Sequence, residues 1–170
     1  GQEQNKEGAA FVYHGSIVGL TTLNWTVESN QTGASLGWSV ATAGDVNGDG
    51  YDDVIVGAPW YDKDGNDECG AAFVYHGSPS GLKNEANWHG ESNQKGSYFG
   101  ISVSTACDVN NDGYADIIVG ADYYDNDQTN TGAVFVYHGS ASGVRPTTSW
   151  TEESTQENSY FGASVAAAGD

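Results

Sequence analysis

The sequence predicts an all-β protein assembled from four-stranded antiparallel units that repeat about every 62 residues. Three observations carry this prediction. The first is internal repetition: Gly8-Ala9-Ala10-Phe11-Val12-Tyr13-His14-Gly15-Ser16 recurs as Gly70 to Ser78 and as Gly132 to Ser140, both steps being 62 residues. Trp25, Trp88 and Trp150 keep that rhythm, as do Leu36-Gly37, Phe99-Gly100 and Phe161-Gly162, and Asp45, Asp108 and Asp170. A fixed period of this length marks a repeat architecture. The second is pattern: short apolar and aromatic runs stand between Gly, Asn and Ser clusters, and no useful stretch has a 3.6-residue period. The third is a pair of oxygen-rich loops, each running straight into an apolar strand.

Each repeat offers four strands in order. The first spans 37–42, with counterparts at 100–105 and 162–167, and is rich in Ser and Ala. Small side chains suit a strand crowded against its symmetry mates. The second, Val54-Ile55-Val56 or Ile117-Ile118-Val119, is apolar on both faces and is expected to be buried on both. The third, Ala72-Phe73-Val74-Tyr75, is strong in β-branched and aromatic residues. The fourth surrounds Trp88 and is polar enough for an edge. Four antiparallel strands with the crowded one innermost describe a β-propeller blade. The boundaries follow: a partial blade at 1–36, full blades at 37–99 and 100–161, and the first strand of a further blade at 162–170. That makes eleven strands, fewer than the four to eight four-stranded blades that usually close a propeller. The expectation is an incomplete propeller segment, completed by other protein chains or by copies of itself.

Composition narrows the function. Five Lys+Arg stand against 23 Asp+Glu, a formal net charge of −18. Nucleic acid and anionic lipid are therefore poor partners. No run reaches the roughly 18 apolar residues of a spanning helix, so membrane insertion is not expected. No leader peptide is visible and Met is absent, which reads as a mature or excised segment. Cys69 and Cys107 fall at opposite ends of their predicted strands, so both are expected to be free thiols.

The loops carry the chemistry. In 45–53, Asp45, Asn47, Asp49 and Asp53 place side-chain oxygens at positions 1, 3, 5 and 9, and the Tyr51 carbonyl adds one at position 7. In 108–116, Asp108, Asn110, Asp112 and Asp116 do the same, with the carbonyl of Tyr114. Gly50 and Gly113 permit the sharp turn at position 6. Asn111 stands where Gly48 does, and Asn tolerates the left-handed region. An all-oxygen set selects Ca²⁺ over zinc or copper, which predicts two Ca²⁺ per chain. Strands flank these loops and position 12 is Val56 or Val119 rather than Glu, so they are not EF-hands. The alternative is an Asx-rich turn without metal; the ligand spacing, complete twice, favours calcium.

Phe99-Gly100, the Asp-x-Asn-x-Asp-Gly-x-x-Asp loop and Val56-Gly57-Ala58-Pro59 together resemble the FG-GAP repeat, over essentially the whole chain. That repeat builds the β-propeller of integrin α subunits and of many bacterial surface proteins. Leu36 and Asp122 depart from its pattern, replacing Phe and Pro. The resemblance implies calcium in the loops and a cell-surface or extracellular setting, and leaves activity open among adhesion, sugar binding and enzyme scaffolding.

Several residues outside the loops are also candidates. His14, His76 and His138 fall one per repeat, so a shared zinc site is not expected. The repeated Trp25, Trp88 and Trp150 fit packing between blades better than sugar stacking. Trp38, Trp60, Tyr61, Tyr123 and Tyr124 are less regular and are the candidates for an exposed recognition surface. Asn24-Trp25-Thr26 and Asn30-Gln31-Thr32 are glycosylation sequons. No nucleophile with a partner base and no phosphate loop is present, so catalysis is not expected. The leading reading is a non-catalytic, calcium-stabilised extracellular segment for adhesion or assembly. A glycan-binding propeller is the alternative, and the scaffold of a secreted enzyme comes third.

Overall fold

The computed structural model describes residues 7–20, 25–62 and 68–169. Asn24 and Asp170, both named above, lie outside the described residues.

Among the described residues two four-stranded sheets form complete blades. The first has strands β5 (Ser39–Gly44), β6 (Asp53–Ala58), β7 (Ala71–Tyr75) and β8 (Trp88–Glu91), hydrogen-bonded in that order. The second has β9 (Ser102–Cys107), β10 (Asp116–Ala121), β11 (Ala133–Tyr137) and β12 (Trp150–Glu153) in the same order. Every pairing in both blades is antiparallel. Ahead of them β1 (Ala9–Val12) pairs with β4 (Trp25–Glu28), the expected outer half of a blade. Among the described residues there is no helix.

The apolar pattern of β6 is explained by what lies on each side. Ile55, with Ala72 and Val74 of β7, faces the second blade and packs with Phe99, Ile117 and Val119. Val56 and Ala58, with Tyr75, face the partial blade and pack with Ala10, Trp25 and Leu36. A strand serving two cores alternates sides with period 2 yet stays apolar throughout.

Phe-Gly turns chain the blades. Gly70 bridges Phe99 in parallel, as Gly8 bridges Leu36 and Gly132 bridges Phe161. Gly100 has φ +87°, and a Cβ there would stand 2.2 Å from the Ala71 carbonyl oxygen. Only glycine satisfies both the backbone angle and the approach. The Ser39 hydroxyl of β5 then donates to the Gly100 carbonyl at 2.8 Å, and the Ser102 hydroxyl to that of Gly162 at 2.6 Å. The Ser-rich inner strands are thus sewn to the next blade by their side chains.

Three strand predictions are corrected. The inner strands begin at Ser39 and Ser102, two residues late, because Gly37 and Gly100 have positive φ and belong to the turn. The strand predicted at 162–167 does not form; Gly162 has φ +88° and belongs to the turn after Phe161. The first repeat also holds an unpredicted two-residue hairpin, β2 (Gly15–Ser16) with β3 (Gly19–Leu20). Its basis is a Ser-x-x-Gly turn in which the Ser16 hydroxyl donates to the Gly19 carbonyl at 2.8 Å. Ser78 with Gly81 and Ser140 with Gly143 repeat that turn.

Candidate metal centre

Both loops leave the inner strand through a bulge. The register shifts between Thr42 and Gly44 in one blade and between Asp116 and Ile117 in the other. A bulge bends the chain and re-aims the residues beyond it. Gly44 (φ +74°) occupies it in the first repeat and Cys107 (φ +60°) in the second.

The position-1 aspartate then organises the turn. Asp45 Oδ1 accepts from the Gly48 and Asp49 amides at 2.7 and 3.0 Å, and its Oδ2 from the Gly50 amide at 2.8 Å. Asp108 repeats this with the Asp112 and Gly113 amides at 3.0 and 2.8 Å. Asn47 Oδ1 accepts from the Asp49 amide and Asn110 Oδ1 from the Asp112 amide, both at 2.9 Å. Asp49 and Asp112 cap the Tyr51 and Tyr114 amides at 3.1 Å. The predicted turn residues behave as expected: Gly50 has φ +88°, Gly113 +90°, Gly48 +72° and Asn111 +58°.

Position 9 is where sequence reasoning was incomplete. Asp53 is fully buried; its Oδ2 accepts from the Val46 amide at 2.9 Å and its Oδ1 from the Gly77 amide at 2.8 Å. Asp116 does the same with the Val109 and Gly139 amides at 3.0 and 2.9 Å. Each carboxylate staples its loop to the connection after the third strand. The signal was the His-Gly-Ser repeat: a Cβ at Gly77 would stand 2.4 Å from the Asp52 carbonyl oxygen. Burial pushes the Asp53 carboxyl above its ordinary value; the two amides and His76 oppose that, and the Asp49 charge adds to it. Burial raises Asp116 in the same way.

Among the described residues no three His, Cys, Asp or Glu side chains are gathered into a metal-sized group. The carboxylates of each loop are instead turned to amides, mostly of the main chain; Asp49 Oδ2 and Asp112 Oδ2 accept from the side-chain amides of Asn47 and Asn110 at 3.0 and 3.1 Å. The donor set nevertheless fits a hard cation. Each loop offers oxygen alone, on a turn already bent at positions 4 and 6, beside a buried carboxylate whose charge burial disfavours.

The remaining candidates separate. The histidines follow the third strand of each repeat and, among the described residues, join no metal-sized group. Cys69 and Cys107 form no disulfide, and the Cys69 thiol faces the Tyr61 carbonyl at 3.7 Å. Asn30 is exposed. Trp25 and Trp88 are buried between blades, as the packing reading requires. Of the candidate recognition aromatics, Tyr61 and Tyr124 are corrected: they pack edge-on against Phe73 and Phe135 at the core margins. Trp38 (59 % exposed) and Tyr123 (38 %) are on the surface. They belong to a ladder, Trp38–Trp60–Tyr98–Tyr123–Tyr160, with successive ring centroids 4.6, 5.8, 4.9 and 5.1 Å apart. Tyr98 and Tyr160, unnoticed in the sequence, recur in step with Ser35 just before the Phe-Gly or Leu-Gly pair.

Four-stranded antiparallel blades, joined at Phe-Gly turns and carrying Asp-rich loops, define the FG-GAP repeat class; the model of that repeat matches residues 36–75 and 99–137. The chain is an FG-GAP repeat protein homologous to integrin α subunits. It is 41 % identical to integrin alpha-6 of Homo sapiens over 134 residues, covering 78 % of this chain and 11 % of that protein. It is 34 % identical to integrin alpha-6 of Gallus gallus over 152 residues, covering 85 % and 13 %. To integrin alpha-PS2 of Drosophila melanogaster it is 34 % identical over 145 residues, covering 76 % and 10 %. The chain thus spans about a tenth of the length of these relatives.

Proposed function

We propose that this chain is a calcium-stabilised, non-catalytic segment of an extracellular β-propeller that serves adhesion. One observation carries the calcium reading: the same oxygen-rich turn is folded the same way twice, each time beside a buried carboxylate. Asp45, Asn47, Asp49 and Asp53 with the Tyr51 carbonyl would hold one ion. Asp108, Asn110, Asp112 and Asp116 with the Tyr114 carbonyl would hold the other. A bound cation offsets the mutual repulsion of the carboxylates, about 3 kcal/mol for a pair ~5 Å apart at an effective dielectric of 20. At ten times its Kd it adds roughly 1.4 kcal/mol per site.

The adhesion reading rests on homology to integrin α subunits and on the aromatic ladder. Aromatic rings are enriched where proteins meet. The ladder rings are tilted 52–88° to one another, so they offer no single flat platform for a sugar chain. That geometry favours protein partners over glycans. Among the described residues no helix is long and apolar enough to cross a membrane.

Calorimetric titration of calcium into chelator-stripped protein tests the reading. It should show about two sites, with magnesium competing poorly because it demands a smaller octahedron. Absence of binding at millimolar calcium would overturn it.

A further inference from the structure

The two loops touch. The first, 45–53, lies across the blade interface on the second, 108–116. The Ala115 amide donates to the Asp45 carbonyl at 3.0 Å, and the Ser140 amide donates to the Val46 carbonyl at 3.0 Å. A Cβ at Gly44 would stand 2.6 Å from that of Ala115. A Cβ at Gly48 would stand 2.7 Å from Cε1 of the Tyr114 ring. The entry of the first loop is therefore moulded onto Tyr114 and Ala115.

These are positions 7 and 8 of the second loop, and position 7 is the one whose carbonyl faces the cation in the calcium reading. The same residue serves both loops, its carbonyl in one and its ring against the other. Two asymmetries support this. Tyr114 is half-buried, while Tyr51, its counterpart in the first loop, is 41 % exposed. Position 4 is Gly48 in the loop that lies on a tyrosine ring; it is Asn111, exposed, in the other.

We propose that Tyr114 is a positioning residue for the first cation site, so that a cation in the second loop prepares the first. This rests on the calcium reading. When the second loop is empty, its three carboxylates repel and the segment 112–116 loosens. The Ala115 amide and the Tyr114 ring then no longer hold Asp45 and Gly48. Asp45 is the side chain that caps the Gly48, Asp49 and Gly50 amides, so its displacement disorders the first ligand set. Linkage makes the coupling reciprocal: the first cation tightens the second by the same factor.

The test is a site-resolved NMR titration with calcium, reading the Gly48 and Gly50 amides for the first site and the Gly113 amide for the second. Tyr114→Ala should weaken the first site about tenfold, inside the usual range of coupling between sites. Tyr114→Phe, which keeps the ring, should restore native affinity. Asp112→Asn, which cripples the second loop, should weaken the first site by a similar factor. If Tyr114→Ala does not fold, hydrogen exchange in an Asp49→Asn chain decides. Loading the second loop alone should slow exchange at Gly48 and Gly50 across the interface; unchanged exchange overturns the proposal. Two sites that fill independently, with Tyr114→Ala like the native chain, also overturn it while leaving the calcium reading intact. No calcium in either loop defeats the calcium reading itself, and this proposal with it.

Discussion

The indole N–H of Trp88 donates to the main-chain carbonyl of Arg145 in the next blade, 3.2 Å away. Trp25 makes the same bond to Lys83, at 3.0 Å, one repeat earlier. Each indole also stands edge-on to a tyrosine of the next blade, Trp88 to Tyr137 and Trp25 to Tyr75, with centroids 5.0 Å apart in both pairs. The repeated tryptophan is thus a bolt between blades, apolar on its face and polar at its tip. Trp150, the third copy, is 49 % exposed.

Trp88→Ala should cost about 3–5 kcal/mol, the usual range for emptying a large aromatic site. Trp88→Phe should cost less, because a ring remains and one hydrogen bond of about 1 kcal/mol is lost. Urea denaturation of the calcium-loaded chain measures both. Equal destabilisation by the two variants would contradict the division between ring packing and hydrogen bond.

The benefit of calcium should shrink in acid. The folded-state values of Asp53 and Asp116 are raised above 3.8 by burial in the metal-free chain. Their contribution to stability is therefore fully present below 3.8 and is lost as pH rises through the raised folded value. Neutral pH is where the metal-free chain carries two disfavoured charges and where a cation helps most. Melting curves with calcium and with chelator should be well separated at neutral pH and converge as pH falls toward about 4, near the ordinary Asp titration. A constant gap would show that the buried carboxylates are not the source of the calcium effect.

Asp122→Pro should stabilise the chain. Pro59 occupies the same place in the preceding blade, so the backbone there accepts proline. Among the described residues Asp122 Oδ1 is buried with no hydrogen-bond partner, and burial raises the carboxyl although bonds from the Asp122 and Tyr123 amides oppose it. The substitution removes that group and stiffens the unfolded chain, together worth about 1 kcal/mol. An unchanged or lower melting temperature would refute this.

Arg145→Gln should tighten calcium binding in the second loop. The guanidinium lies 3.6 Å from Asp112 Oδ2 and competes there with an incoming cation. The pair is half in solvent, so the effect should be about two- to threefold at low ionic strength and fade with added salt. Titration at two salt concentrations checks it; weaker binding in the variant would mean that the arginine orders the loop instead.

The sequence determined the repeat, the four strands of each blade, their order and the turn residues of the loops. These depend on contacts along the chain or between neighbouring strands. Gly50, Gly113 and Asn111 are legible because a left-handed backbone admits few residue types. The double-sided burial of β6 is legible because a strand between two cores must be apolar on both faces.

Only the tertiary structure decided which residues distant along the chain meet, within a blade and between blades. Tyr61 and Tyr124 look like surface aromatics in the sequence and are core margins, since Phe73 and Phe135 of their own blades close over them. Asp53 reads as one more ligand, yet its hydrogen bond to Gly77 reaches 24 residues along the chain. Tyr114 reads as a loop residue, yet its ring lies on Gly48 of the preceding repeat. Period and spacing describe one repeat at a time. How successive repeats face each other is set by blade stacking, where non-local packing chooses among residues that look equivalent in every copy.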